Sequence, residues 1–333
     1  MSTDNENTGS RYINPFTDFG FKRLFGEEAN KDLLIDFLNE LVLPIHKITE
    51  LSFRDTDKRP EIRSQRKAVY DIFCKNQNDE EFIVEMQKAF QDFFKDRMIF
   101  YSTFPIRTQA KKGKKWNYKL KAVYCIGILD FKFADDDYLF EYDEDIDPAV
   151  QEKMEKEYHH DVQLKDKYNR VFYPKLRYKL IEMPKFNKTE SELETHFDKW
   201  LYFLKHLPDF DEIPAILNEQ IFQKAFQVAE TANFNEEELN NYYKSLKEYW
   251  DLNNVIDSSF AKGEKVGIEK GEKIGELRNQ IKTALEMFKE DMDDKLINKF
   301  TGLSLHLISE IRKLWQKKPD ITVDEVMEKL KHS

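Results

Sequence analysis

The feature that most restricts this sequence of 333 residues is a pair of apolar runs, residues 69–75 and 81–87, separated by a short polar segment. The segment between them reads NQND, which is turn chemistry, so the two runs are predicted to form an antiparallel hairpin. Each run carries one acid among large apolar residues, Asp71 in the first and Glu85 in the second. Burying a charged carboxylate costs several kcal/mol unless a partner compensates the charge, so both acids need a reason.

Strand geometry suggests that reason. Side chains alternate along a strand, so Glu85 shares a face with Gln87, and Asp71 shares a face with Val69 and Phe73. If the hairpin pairs regularly, the two carboxylates converge on one side of the sheet, where they repel and a divalent cation relieves the repulsion. The alternative places each acid at a strand end, pointing into solvent; the apolar residues on both sides of each acid disfavour it.

A site of this kind suits phosphodiester hydrolysis. Magnesium prefers oxygen ligands and keeps several waters that substrate phosphates can replace. A bound metal polarises a phosphoryl oxygen and acidifies the attacking water. The residues alone therefore indicate a metal-assisted hydrolase with Asp71 and Glu85 at its centre.

The elements around the hairpin predict a mixed α/β fold. Residues 18–26 form a short helical turn capped by Asp18, and a longer helix begins at about Asn30. Residues 45–53 alternate apolar and polar, as a first strand does. Residues 88–110 have helical spacing, and residues 122–133 are a continuous apolar run, typical of a buried central strand. Because a helical crossover joins them, the third and fourth strands should run parallel.

The rest of the chain divides by composition. Residues 1–11 are polar and predicted disordered, and residues 12–188 form the α/β core with added strands at 162–164 and 171–183. Residues 189–255 read as a helical support subdomain, and residues 256–333 as a helical tail. The tail repeats glycine every four residues, at Gly263, Gly267, Gly271 and Gly275.

The glycine repeat leaves two interpretations open. Glycine in a helix loses roughly 1 kcal/mol relative to alanine, so four of them on one helical stripe need a compensating function. Either the stripe packs closely against another helix, or the segment is a flexible spacer. If it packs, the flanking Glu and Lys residues favour self-association, and the tail is expected to form a homo-oligomer.

Charge and composition limit the partners. The net charge is −10, which argues against a globally basic DNA coat protein but is compatible with a local basic groove. Basic residues interleaved with aromatic ones suit phosphate neutralisation and base stacking. One segment has this pattern, and it is a candidate DNA-binding patch unless it is only a lysine-rich surface loop: Lys111, Lys112, Lys114, Lys115 and Trp116.

The cysteines and the apolar runs of the sequence indicate the cellular compartment. The two cysteines, Cys74 and Cys125, lie in apolar runs and read as buried residues in a reducing compartment. The N-terminal residues have no apolar core or basic leader, and no run approaches the ~20 apolar residues of a membrane span. We therefore expect a soluble, cytoplasmic protein without a membrane partner.

Asp71 followed by Glu85-Met86-Gln87 on the next strand, within an αβββαβ order, resembles the core of the PD-(D/E)XK nuclease superfamily. More narrowly, the chain is similar to its transposase-like, recombination-promoting branch. Asp18 with Lys22 on the first helix, and Arg97 with Tyr101 on the helix after the hairpin, support the resemblance. The glycine-repeat tail matches in style only; the closer resemblance covers about residues 11–250.

The resemblance implies a restriction-endonuclease-like fold and a magnesium-dependent (or manganese-dependent) DNA endonuclease linked to recombination or mobile elements. Asp71 and Glu85 would ligate the metal, with the Met86 carbonyl as a third ligand. Gln87 stands where the superfamily has a lysine; glutamine can orient a group by hydrogen bonding but brings no charge. The branch that the chain resembles also uses glutamine there. The alternative is a catalytically inactive DNA- or protein-binding module on the same fold.

The supporting residues keep two interpretations each. Arg97 and Tyr101 lie four residues apart on one helix face, so Arg97 either holds a phosphate or the Glu85 cluster, or packs its stem over Tyr101. Asp18 is either an accessory acid near the metal or a helix cap, and the cap is favoured. Lys22 contacts phosphate or is a solvated lysine.

Overall fold

The structure is a computed structural model that describes residues 10–42, 47–58, 68–89, 93–110, 117–133 and 147–331. The candidate DNA-binding segment at 111–116 and most of the N-terminal tail lie outside the described residues. The chain divides into two compact units, Met1–Asn253 and Asn254–Ser333. The paired acids belong to the first unit.

Two helices open the first unit, α1 (Asp18–Phe25) and α2 (Lys31–Val42). The predicted cap at Asp18 is wrong, because Thr17 is the cap: its backbone is extended and its hydroxyl accepts the N–H of Gly20 at 3.0 Å. A side chain at Gly20 would lie 2.2 Å from the carbonyl oxygen of Asn14, so only glycine fits this tight entry. Asp18 is the first helical residue, and its carboxylate is not needed by the backbone.

Six strands form one mixed sheet in the order β1-β4-β5-β6-β8-β7, and two short strands pair separately. The strands are β1 (Leu51–Phe53), β2 (Asp57–Lys58), β3 (Ala68–Val69), β4 (Ile72–Asn76), β5 (Glu81–Gln87), β6 (Val123–Leu129), β7 (His159–Lys165) and β8 (Val171–Glu182). The predicted hairpin is β4 and β5, antiparallel, and β6 lies parallel to β5. Helix α3 (Phe94–Thr108) connects β5 to β6. The predicted mixed α/β fold is confirmed.

The first strand is shorter than predicted. Of the predicted 45–53, only residues from Leu51 onward pair with β4, and residues 43–46 lie outside the described part of the chain. Side chains explain the late start: the amide of Asn39 on α2 bonds both the N–H (2.8 Å) and the carbonyl (3.0 Å) of Ile48. The Gln77 side chain likewise accepts the N–H of Thr49. These side chains bond backbone N–H and C=O groups that would otherwise pair with a neighbouring strand.

The sheet separates two apolar layers. On one side, residues such as Ile72 and Val84 pack with α1, α2, α5 (His196–His206) and α6 (Gln220–Ala229). On the other side, Phe73 and Ile83 pack with α3. Both faces of β5 are therefore covered, which is why all but its last residue is buried. Helix α4 (Pro148–Lys156) precedes β7.

The glycine repeat lies within one long helix, α7 (Glu236–Lys289), which begins in the first unit and ends in the second. The second unit adds α8 (Asp294–Thr301), α9 (Leu305–Lys317) and α10 (Val323–Lys331) around its own apolar core. A side chain at any of the four repeated glycines would meet no atom of the described residues within 4 Å. Within the described ranges, no helix combines the length and apolar character needed to cross a bilayer.

Candidate active site

Asp71 and Glu85 face each other on neighbouring strands. Regular pairing of β4 with β5 ends at Ile72 opposite Val84, and the next position along each chain is an acid. There the side chains replace the ladder: the Met86 N–H donates to Asp71 Oδ2 at 2.8 Å, and the Asp71 N–H donates to Glu85 Oε1 at 3.3 Å. The structure thus brings together the two carboxylates that alternation predicted to converge.

Packing holds this position in place. Tyr70, immediately before Asp71, is buried, and its hydroxyl donates to the carbonyl of Tyr101 on α3 at 3.1 Å. Its ring also contacts that of Phe73, with 5.5 Å between centroids. Tyr70 and Phe73 therefore anchor the chain on both sides of Asp71.

The two carboxyl groups bind protons more tightly than usual. Burial raises the pKa of Glu85 to about 8, and the neighbouring Asp71 charge adds to the effect, while Arg97 opposes it. Burial also raises the pKa of Asp71, with a further contribution from Asp18. Glu85 is only 4% exposed. The pair carries more negative charge than its surroundings compensate.

Arg97 and Tyr101 do both things that the sequence left open. The Arg97 guanidinium lies over the Tyr101 ring, 4.9 Å from its centroid, and its Nη2 is 3.9 Å from Glu85 Oε2. That separation is long for an ion pair. Burial raises the pKa of the Tyr101 hydroxyl, so it remains a neutral hydrogen-bonding group beside the acids. Arg97 is the cation of α3 that reaches the carboxylates.

Asp18 and Lys22 lie one turn apart on α1 and form an ion pair of 2.9 Å. Both are about half exposed, and both affect the charge of Asp71 in opposite directions. They are thus near the site without bonding to it. Their predicted roles, an accessory acid and a phosphate contact, stay predictions.

Gln87 ends β5 on the same face as Glu85 and is half-buried. Its carbonyl accepts the N–H of Asp130, which follows β6, at 2.9 Å. The Tyr249 hydroxyl of α7 donates to Asp130 Oδ2 at 2.7 Å, which braces this end of the sheet. The backbone of Gln87 is therefore fixed at the end of β5, on the face that carries Glu85.

A cleft of about 560 Å³ opens on Asp71. It includes residues that sequence reasoning did not single out, contributed by the segment after β1 and by the start of α7. They lie far from the hairpin in sequence, and no local motif marks them. The charged and polar lining residues are Asp18, Lys22, Arg23, Glu27, Arg54, Thr56, Asp71, Asn241, Lys244, Ser245 and Glu248.

The donor set fits a hard divalent cation. In the described ranges, no group of three or more His, Cys, Asp or Glu side chains is placed to hold an ion. Two carboxylates nevertheless suit Mg²⁺ or Mn²⁺, because such ions keep several waters and bind through one or two carboxylates plus substrate phosphates. Asp71 and Glu85 each use one oxygen for a backbone N–H, which leaves one oxygen apiece for a cation. Ligation by the Met86 carbonyl stays a prediction.

A helix-flanked mixed sheet with paired acids at the end of an antiparallel hairpin is the arrangement of the PD-(D/E)XK nuclease fold. The model of one family, described as PD-(D/E)XK nuclease family transposase, matches residues 15–147 and 146–259, well over half of the chain. The chain belongs to this family. No curated protein and no solved structure matched it.

Proposed function

We propose that this protein is a magnesium-dependent DNA endonuclease that acts in recombination or in the movement of mobile elements. The observation that carries the proposal is the Asp71–Glu85 pair: two adjacent carboxyl groups with raised pKa and one guanidinium 3.9 Å away. A protein gains nothing in stability from such an arrangement. A site that must attract a divalent cation requires it.

The chain's own residues divide the work. Asp71 and Glu85 hold the ion, which when bound supplies Lewis-acid polarisation of a phosphoryl oxygen and acidifies the attacking water. Gln87 orients that water by hydrogen bonding, since its amide can donate and accept but carries no charge. Arg97 stabilises negative charge that develops on the phosphate. Lys22, on the cleft wall, contacts a neighbouring phosphate.

DNA is the proposed substrate. The cleft beside Asp71 is lined by basic residues from separate segments, including Lys22, Arg54 and Lys244, together with an equal number of acids. In sequence, residues 111–116 concentrate lysine and tryptophan in a chain whose net charge is −10. Lysine and arginine side chains of this kind can contact a phosphodiester backbone, while a metal ion would offset the acids.

A second candidate function is a non-cleaving module that binds DNA or protein on the same fold. One observation favours it: Gln87 brings no positive charge to a position where the superfamily has lysine. A binding module, however, has no use for buried carboxylates with raised pKa. The endonuclease accounts for both features and is the better proposal.

We further propose that the tail mediates homo-oligomerisation. The glycines face open space within this chain, and exposed apolar residues such as Ile256 and Phe260 extend the same helical stripe. Two copies would bring two hydrolytic sites, one for each DNA strand. Light scattering on the full chain should detect an oligomer that Gly267→Leu abolishes. Ser258→Leu, on the opposite side of α7 and outside the glycine repeat, should leave it intact. Monomers throughout would remove the proposal.

The proposed compartment is the cytoplasm. Both cysteines are free and buried, and burial raises the pKa of the Cys74 thiol to about 12. Such thiols are inert structural residues. They suit a reducing environment.

A plasmid-nicking assay tests the proposal. The full chain should nick supercoiled DNA with magnesium and not with EDTA, and Asp71→Asn or Glu85→Gln should reduce the rate by about 10³-fold or more. Gln87→Ala should lower cleavage strongly without changing DNA affinity, and Gln87→Lys should retain some activity. Glu81→Gln is the matched control, because Glu81 lies on the same face of β5, paired with Lys75 at 2.7 Å. Equal nicking by wild type and Asp71→Asn would refute the mechanism.

A further inference from the structure

Phe93 combines an unusual backbone conformation with an exposed side chain. It occupies the cap position of α3 with φ 62° and ψ 31°, a left-handed conformation, and makes no side-chain cap hydrogen bond. Residues that cap helices are normally Ser, Thr, Asp or Asn in extended conformation. Its side chain is 63% exposed. A large apolar ring is thus held out in solvent by a backbone conformation that bulky residues disfavour.

Most comparable positions in the chain have a simple chemical reason. Asp79, Asn169 and Asp291 also have positive φ, and Asp and Asn tolerate it because their short polar side chains can bond locally. Tyr118 is the other aromatic residue with positive φ, but it lies in the segment before β6 and caps no helix. Phe93 has no such bond, and among the described residues its ring contacts no other aromatic ring. Backbone strain that no stabilising contact offsets is concentrated at functional sites.

The position of Phe93 relative to the acids suggests its use. Its carbonyl accepts the N–H of Arg97 at 2.9 Å, so the two residues are one helical turn apart. Arg97 in turn reaches Glu85. Lys95, two residues after Phe93, is also exposed. Phe93 is therefore one helical turn from the residue that reaches the acids. The same turn carries a second cation, Lys95, whose ammonium lies over the Phe133 ring at 5.3 Å from its centroid.

An exposed aromatic ring followed within one helical turn by two cations matches the chemistry of a nucleotide. Phosphates on each side of a base suit Lys95 and Arg97, and the base itself offers a flat surface to the ring. A base inside a continuous duplex is stacked on its neighbours and cannot present that surface. The partner that fits Phe93 is therefore an unpaired base.

We propose that Phe93 stacks on an unpaired nucleobase next to the phosphate held at Asp71 and Glu85, so that the protein selects DNA with a gap, bulge or frayed end at the cleavage site. This inference rests on the proposed nuclease function, and it adds a substrate class to it. Phe93 is a positioning and specificity residue; it takes no part in the bond-breaking step.

The test measures binding without cleavage. The full chain is titrated, in EDTA, with an oligonucleotide duplex that carries 2-aminopurine in a short single-stranded gap, and with the same duplex uninterrupted. Phe93→Asn removes the ring but suits the left-handed backbone, whereas Phe93→Trp keeps a stacking surface. Phe172→Asn is the matched control, since Phe172 is 77% exposed at the other end of the unit's sheet.

We expect Phe93→Asn to weaken binding to the gapped duplex about fivefold or more and to abolish the change in 2-aminopurine fluorescence. Binding to the uninterrupted duplex should not change, and Phe93→Trp and Phe172→Asn should behave as wild type. The melting temperature of Phe93→Asn should equal or exceed that of wild type, because strain is removed. Wild-type affinity and fluorescence in Phe93→Asn would overturn the inference.

The two proposals fail separately. If the protein does not nick DNA but Phe93→Asn selectively weakens gapped-duplex binding, the endonuclease proposal falls and the stacking site stands. If nicking occurs and Phe93→Asn binds as wild type does, only the stacking site falls.

Discussion

Glu182 and Glu85 are two buried glutamates of the same sheet whose pKa values are shifted in opposite directions. Glu182 ends β8 and is fully buried, yet three groups donate to it at 2.7 Å: the His160 ring, the Lys185 ammonium and the Phe133 N–H. Burial alone would raise the pKa of Glu182, but these hydrogen bonds outweigh it and hold the pKa below its usual value. Glu182 is a satisfied structural charge.

Glu85 is nearly as deeply buried, but its surroundings are reversed. A second acid, Asp71, lies beside it, and the Arg97 guanidinium is 3.9 Å away. Its pKa is raised. The comparison teaches that burial does not distinguish a functional acid from a structural one; the missing positive charge does. A divalent cation would give Glu85 what Lys185 and His160 give Glu182.

The largest expected effect is on the structural acid. Glu182→Gln leaves Lys185 without its partner and should destabilise the first unit by about 3 kcal/mol. Urea unfolding followed by the fluorescence of Trp200, which is fully buried in this unit, measures the change. An unchanged unfolding midpoint would show that the ion pairs of Glu182 do not stabilise the fold, contrary to the contrast with Glu85.

The same substitution at Glu85 should act in the opposite direction. Without metal at pH 7.5, folding forces Glu85 either to take up a proton or to keep a poorly compensated charge. Glu85→Gln removes this cost and should stabilise the first unit by at least about 1 kcal/mol. Magnesium should raise the stability of wild type and not that of the variant. Destabilisation by Glu85→Gln in EDTA would mean that Glu85 is already compensated, contrary to the account.

Their pH dependence should also differ. The pKa of Glu85 in the folded state is raised to about 8. In EDTA, its contribution to folding stability is therefore complete below the ordinary pKa of glutamate, and it is lost as the pH rises through about 8. The pKa of Glu182 in the folded state is lowered. Its contribution to folding stability is therefore present above the ordinary pKa of glutamate, and it is lost as the pH falls through the lowered folded-state pKa. Between pH 5 and 8, wild type should lose about 3 kcal/mol relative to Glu85→Gln, because each pH unit between the two pKa values changes the stability by about 1.4 kcal/mol. Parallel stability profiles would contradict this.

Much of the site could be predicted from sequence because it depends on local rules. Alternation along two short runs predicted the convergence of Asp71 and Glu85, and the apolar run at 122–133 predicted the buried parallel strand β6. Local pattern also predicts the two faces of a strand whatever its neighbours are. The features that depend only on residue order were therefore accessible.

The remaining features depend on contacts between distant segments. The first strand begins late because Asn39 and Gln77 bond its backbone, and nothing in residues 45–53 signals that. Glu81 is also a buried glutamate of β5, and its contacts with Lys75 on the neighbouring strand and with the Gln109 amide after α3 identify it as structural. The lining of the cleft comes partly from α7, whose first turns read as an ordinary amphipathic helix.

The most direct test of the account is calorimetric titration of the metal-free protein with Mn²⁺ in buffers of different ionisation enthalpy. We predict one site per chain and release of protons on binding, because the raised pKa of Glu85 leaves the pair partly protonated near neutral pH. Asp71→Asn and Glu85→Gln should each weaken binding about tenfold or more, and Glu81→Gln should bind as wild type does. Equal affinity in wild type, Asp71→Asn and Glu85→Gln would contradict the claim that these two acids form the metal site.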